Sequence, residues 1–281
     1  MTPTLLLILK LSVGVIILAI GMGSTIGDVT YLLRRPGLLL RSVLAMYVLV
    51  PLTALVLVKT LTLAPGVEIA LLVFAVSAGA PLLPRKLMNI GDGAYTFSLV
   101  VLSTLLAIIL VPAWLTVLGP EFGNPLALEP GRVAMVFAKS FFLPLALGML
   151  VRWLFPVVAE QVGDRLMMGA GLVLTACALA LLVLNWHILL EARGPALLIL
   201  AILIIAALAI GHILGGPTED DRTALAIACA TRHIGIAVLV AASVPGPRTA
   251  VLVAAYIVTA AVVSIPYLRW RRSRSVTTGS P

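Results

Sequence analysis

Arg232 and His233 stand side by side about ten residues inside an apolar run that opens with Arg222-Thr-Ala-Leu-Ala-Ile-Ala-Cys-Ala-Thr231. A cation at the centre of a membrane helix costs about 2.5 to 3.5 kcal/mol even on the lenient insertion scale, so it faces a cavity, a pathway or a partner. Arg232 has two compatible readings. It is satisfied by carbonyls exposed at a helix break, or it is a fixed positive charge facing an anion. A guanidinium is a planar fork of donors that grips a carboxylate through two parallel bonds, which suits an organic acid. His233 is either a satisfied imidazole or a group that exchanges a proton near neutral pH.

A second irregular stretch runs Val73-Phe-Ala-Val-Ser77-Ala-Gly79-Ala-Pro81-Leu-Leu-Pro84-Arg-Lys86. Each proline removes an amide donor and clashes with the preceding turn. The pair following Gly79 therefore predicts a broken helix. Broken backbone inside a bilayer is tolerated where it is buried in protein or lines a cavity. Ser77, Gly79, Pro81 and Pro84 thus join Thr231, Arg232 and His233 as the expected substrate-binding residues. Arg85 and Lys86 mark a cytoplasmic helix end or reach back into the cavity.

The elements that must position these residues are membrane helices. Of 281 residues 62% are hydrophobic and only 11% charged, and the mean hydropathy is +1.19. A soluble chain carries about 25% charged residues. The whole chain, 1–281, reads as one polytopic membrane domain with no soluble domain. The net charge of +8 is scattered at helix ends and gathered in the tail Arg269-Trp-Arg-Arg-Ser-Arg274, a topology signal rather than a nucleic-acid surface. Cys177 and Cys229 lie inside apolar segments, so neither a disulfide framework nor a CxxC metal site is expected. His187 and His212 fall at opposite membrane edges and cannot share a metal with His233. The absence of a Ser/His/Asp set, HExxH or paired carboxylates at depth argues against an enzyme. The N-terminus lacks the basic region and cleavage site of a secretory signal and is expected to open the first span.

At about 20 apolar residues per crossing, nine spans are expected, at 4–25, 42–62, 67–84, 95–118, 132–153, 165–186, 195–214, 222–243 and 249–268. With the C-terminus cytoplasmic, twelve basic residues fall inside and four outside, which predicts the N-terminus outside. Lys10, Lys139 and Arg232 remain within spans, whereas every Asp and Glu falls in a loop or at a span end. The third and eighth spans occupy corresponding positions in the two halves. Each is followed by a Thr-containing apolar run ending in proline, at Pro112 and Pro266. Running in opposite senses, the halves read as inverted repeats, about 4–118 and 132–268, with 269–281 as a basic cytoplasmic tail. Paired irregular spans in such repeats point to a midplane site.

Several pieces together resemble the bile acid:sodium symporter family in its broad bacterial sense. They are Gly21-Met-Gly23 with Arg34 to Arg41 after it, the proline-rich break at 79–84, Gly91-Asp92 before Ser103-Thr-Leu-Leu, Pro144-Leu-Ala-Leu-Gly148, and Arg222-Thr223 leading to Gly235. Their order along nearly the whole chain carries the match. The resemblance implies an all-α, ten-helix inverted repeat with two broken crossing helices between core and panel domains. The chain begins at what resembles the second of the ten, which leaves nine. The resemblance also implies a sodium-binding carboxylate in the second broken helix, and that position falls on Ile227 or Ala228. The polar Gln-Asn pair of the family falls within Thr231, Arg232 and His233. A neutral, oxygen-bearing site has become cationic, so sodium is implied by the resemblance alone and no cofactor is expected.

The expected function is secondary transport of a small organic anion by alternating access in the bacterial inner membrane. Arg232, His233 and the Ala228 position are the candidates for ion coupling. A non-transporting sensor for an organic anion on the same fold is the alternative.

Overall fold

The computed structural model describes residues 3–77, 93–118, 135, 138–187, 195–232, 237 and 247–278. Among the described residues every regular element is helical. The helices are α1 (Pro3–Gly23), the short α2 (Ile26–Tyr31), α3 (Pro36–Thr60), α4 (Pro65–Val76), α5 (Gly93–Leu118), α6 (Leu143–Leu154), α7 (Pro156–Leu184), α8 (Pro195–Leu214), α9 (Glu219–Thr231) and α10 (Pro247–Thr278). A π-helical turn, Ala138–Phe142, leads into α6.

α3, α7 and the Ala196–Leu214 stretch of α8 are each long and apolar enough to cross a bilayer. α5 becomes a fourth if its two limbs, bent by 46°, are one span. Pro112 accounts for the bend, since its missing N–H frees the carbonyl four residues earlier. Shorter apolar helices occupy Leu11–Gly23, Pro65–Val76 and Leu143–Leu154.

Packing sorts the helices into two groups, which also meet where α10 packs on α7. α1 packs along both α6 and α7. α8 packs along α9 and α10, and α10 and α3 both pack on α4. Small residues set the closest approaches, as expected where lipid removes the hydrophobic drive between helices. Gly21 and Gly148 bring α1 and α6 into backbone contact, and Gly211 does the same for α8 against Ala226 of α9. α9 is consequently buried on all sides from Thr223 to Ala230. α5 lies between the groups, touching α9 and α4 on one side and α1 on the other.

α10 runs on through the basic residues as far as Thr278, and Arg271 is only 4% exposed.

Candidate functional site

α9 begins at a well-formed cap. Thr218 Oγ1 accepts the Asp221 N–H at 3.1 Å, and Glu219, Asp220 and Asp221 fill the first turn, where the helix dipole favours negative charge. The helix ends at Thr231, because Arg232 adopts φ 44° and ψ 160°. Among the described residues it alone, glycines aside, has positive φ. Such a backbone costs of order 1–3 kcal/mol and persists only where the surroundings impose it.

Its side chain is 1% exposed. Nη1 donates to the Met46 carbonyl at 2.9 Å, whereas Nε and Nη2 are buried without an acceptor among the described residues. The acceptor at Met46 has a local origin in α3. From Leu44 to Leu49 the helix is π-helical, and the Val50 N–H reaches the Ala45 carbonyl five residues back. In that register the Met46 carbonyl would pair with the amide of residue 51, and in an α register the Tyr47 carbonyl would. Residue 51 is proline and has no N–H. Both carbonyls are therefore left for side chains. Arg232 takes Met46, and Trp114 Nε1 donates to Tyr47 at 2.8 Å.

Two tyrosines complete the surroundings. Among the described residues, Tyr256, Cys229 and Tyr47 are titratable groups close enough to interact with the Arg232 charge. The Tyr256 hydroxyl donates at 2.7 Å to the Ala230 carbonyl, one of the acceptors that the end of α9 leaves open. Its ring stacks on Phe74 of α4 at 3.7 Å. Tyr256 therefore joins the last turn of α9 to the last turn of α4. Tyr47 donates from its hydroxyl to the Ser103 carbonyl of α5.

α4 ends at Val76, and the Ser77 hydroxyl turns back to the Val73 carbonyl at 2.5 Å. Thr231 likewise donates to Ile227 at 2.7 Å. The hydroxyls of both expected site residues are thus spent on their own helices. Ala228 presents a fully buried methyl group. Gly79, Pro81, Pro84 and His233 lie outside the described residues. Sequence reasoning named Arg232 but not its neighbours in the structure, Tyr47, Tyr256 and the Met46 carbonyl. Pro51 in an apolar run was the available signal for the last.

A second polar cluster holds the start of α9. Arg271 donates to the Glu219 carboxylate, to Thr223 Oγ1 at 2.8 Å and to the Glu219 carbonyl at 3.1 Å. Arg222 donates to the other Glu219 oxygen and to the Gly216 carbonyl, both at 3.3 Å. His212 Nδ1 lies 2.9 Å from the Tyr267 hydroxyl, and Arg274 lies over the Trp270 ring. Among the described residues, no three of His, Cys, Asp and Glu gather closely enough to hold a metal ion.

Chemically, the arrangement at Arg232 can accept an anion. The guanidinium has one carbonyl partner, two nitrogens without acceptors, and no bonded carboxylate among the described residues. Ala228, one turn earlier, carries a buried methyl group and no side-chain oxygen with which to bind a cation.

The model of the sodium bile acid symporter family matches residues 10–192. No curated protein matches the chain.

Proposed function

The chain belongs to the sodium bile acid symporter family, and from that membership we propose that it is a secondary carrier of a small organic anion. The observation that supports this reading is Arg232. A buried guanidinium with two nitrogens lacking acceptors among the described residues is expensive unless something else supplies them. A carboxylate of the cargo would do so, and it would meet the end of α9 where the backbone already departs from helix. Thr231, His233, Ser77 and the Gly79, Pro81, Pro84 segment are proposed to frame it.

Alternating access would proceed with nine crossings arranged as inverted repeats, 4–118 and 132–268. The proposed orientation in a bacterial inner membrane has the N-terminus outside and residues 269–281 in the cytoplasm. One group, with α3, α4, α8, α9 and α10, would rock against α1, α6 and α7. Sodium is not the proposed coupling ion at Ala228, because the charge it would bring is supplied by Arg232. Exchange, uniport or proton coupling through His233 are the remaining modes. The buried methyl at Ala228, where the family resemblance implies a carboxylate, favours a second reading as a sensor that binds the anion without moving it.

Uptake into proteoliposomes, comparing the natural chain with Arg232→Ala, tests the assignment. Loss of anion flux in the variant is expected, and unchanged flux would sink it. Tight binding with no flux under any imposed gradient would select the sensor.

A further inference from the structure

A cleft of about 800 Å³ opens between α5, α6 and the turn from α1 into α2. Val101 and Leu105 of α5 form one wall and Leu145 and Met149 of α6 form another, and Phe142, Leu150 and Trp153 belong to the lining as well. Its polar side chains are Ser24, Thr25 and Arg152. This cleft lies apart from the Arg232 site. The α5 residue facing that site is Ser103, which accepts from Tyr47. Val101 and Leu105 stand about 200° around the helix from it.

We infer that this cleft binds one anionic phospholipid of the surrounding leaflet, with the phosphate at Arg152 and an acyl chain along Val101, Leu105 and Leu145.

Depth is the first argument. α7 has 29 residues, about 44 Å at 1.5 Å per residue, whereas the hydrocarbon core is about 30 Å thick. Its excess length lies in the first turns, which carry Glu160, Asp164 and Arg165. Arg152, just before the α6–α7 turn, shares that level and pairs with Glu160 at 3.2 Å. The lining of α6 from Trp153 back to Phe142 runs about 16 Å along the helix, close to the depth of one leaflet.

Access is the second. Trp153 is 75% exposed, and Phe142, Leu143, Leu147 and Leu150 are exposed beside it. In a bilayer this face of α6 meets lipid, and a tryptophan at such a level belongs to the interfacial belt. Charge is the third. Glu160 satisfies Nη2 of Arg152, while Nη1 is buried with no acceptor among the described residues. A basic residue in a pocket between membrane helices is the arrangement that receives an anionic headgroup.

The test is native mass spectrometry of the purified full chain relipidated with phosphatidylglycerol or phosphatidylcholine. The natural chain is expected to retain phosphatidylglycerol in preference. Arg152→Gln should lower that affinity about tenfold, the loss of a charge-assisted hydrogen bond. Leu105→Trp, which fills the cleft and keeps the guanidinium, should abolish retention. It decides the matter alone if Arg152→Gln does not fold. Equal retention of the two lipids, or wild-type retention by Leu105→Trp, would overturn the inference. Displacement of phosphatidylglycerol by equimolar octanoate would overturn it too, reassigning the cleft to soluble amphiphiles.

Discussion

Gly21 and Gly148 meet backbone to backbone. A Cβ on Gly21 would stand 2.3 Å from the Leu145 carbonyl oxygen, and one on Gly148 would stand 2.1 Å from that of Leu18. Neither obstacle is the tip of a flexible side chain, so only separation of α1 from α6 could relieve the clash. Gly148→Ala and Gly21→Val are expected to cost about 3 kcal/mol or more, the upper range of overpacking. Gly14→Ala, with nothing within 4 Å of the added carbon, should be neutral or stabilising. Thermal unfolding of the three purified variants checks this.

Arg232 invites a comparison of two replacements. Its φ of 44° suits glycine and strains any residue with a side chain. Both Arg232→Gly and Arg232→Ala should lose anion flux. Arg232→Gly should nevertheless unfold later, with an advantage of about 1 kcal/mol. Equal midpoints would show that the backbone relaxes once the guanidinium is gone.

Pro51 contacts neither the guanidinium nor any expected ligand, yet it leaves the Met46 and Tyr47 carbonyls open. Pro51→Ala restores an N–H that competes for one of them. The expected result is weaker anion binding, with a coupling of about 1–2 kcal/mol between Pro51→Ala and Arg232→Gly in a double-mutant cycle on stability. Strict additivity would contradict this account.

Arg271 is buried, whereas its partner Glu219 is largely exposed. Glu219→Gln removes the countercharge and weakens the hold on both Arg271 and Arg222, at a cost of about 1–2 kcal/mol after allowing for solvent screening. The readout is limited trypsin digestion, which should cut after Arg271 in the variant before it does so in the natural chain. Raising salt should bring the natural chain part of the way towards the variant.

The legible part of the site was its charge. One arginine ten residues into an apolar run predicts an unusual helix, and α9 does stop at that residue. Gly21 and Gly148 stood in the motifs that carried the family resemblance, but their contact joins residues far apart in the chain and no local pattern reveals it. Pro51 was visible as a residue. Its effect depends on a π register that periodicity cannot supply. Ser77 and Thr231 were expected to belong to the substrate site, and each hydroxyl bonds the carbonyl four residues back, a bond that carries no sequence signature. Gly79, Pro81 and Pro84 predicted a break in the third expected span, and α4 ends at Val76, with residues 78–92 outside the described residues.

The π-helical stretch from Leu44 to Leu49 makes chain length itself a determinant of the site. It accommodates one more residue than an α-helix of the same rise would. Deleting a single residue there would return the stretch to α geometry with the turns on either side still in phase, because the π turn absorbs the extra residue. Ser42, whose hydroxyl lies 2.9 Å from that of Tyr95, would keep that partner, but the proline would then leave one open carbonyl where Arg232 and Trp114 now have two. The eight positions between Ser42 and Pro51 therefore form a spacer whose count matters more than its spelling. A substitution within it would be forgiven more readily than a deletion.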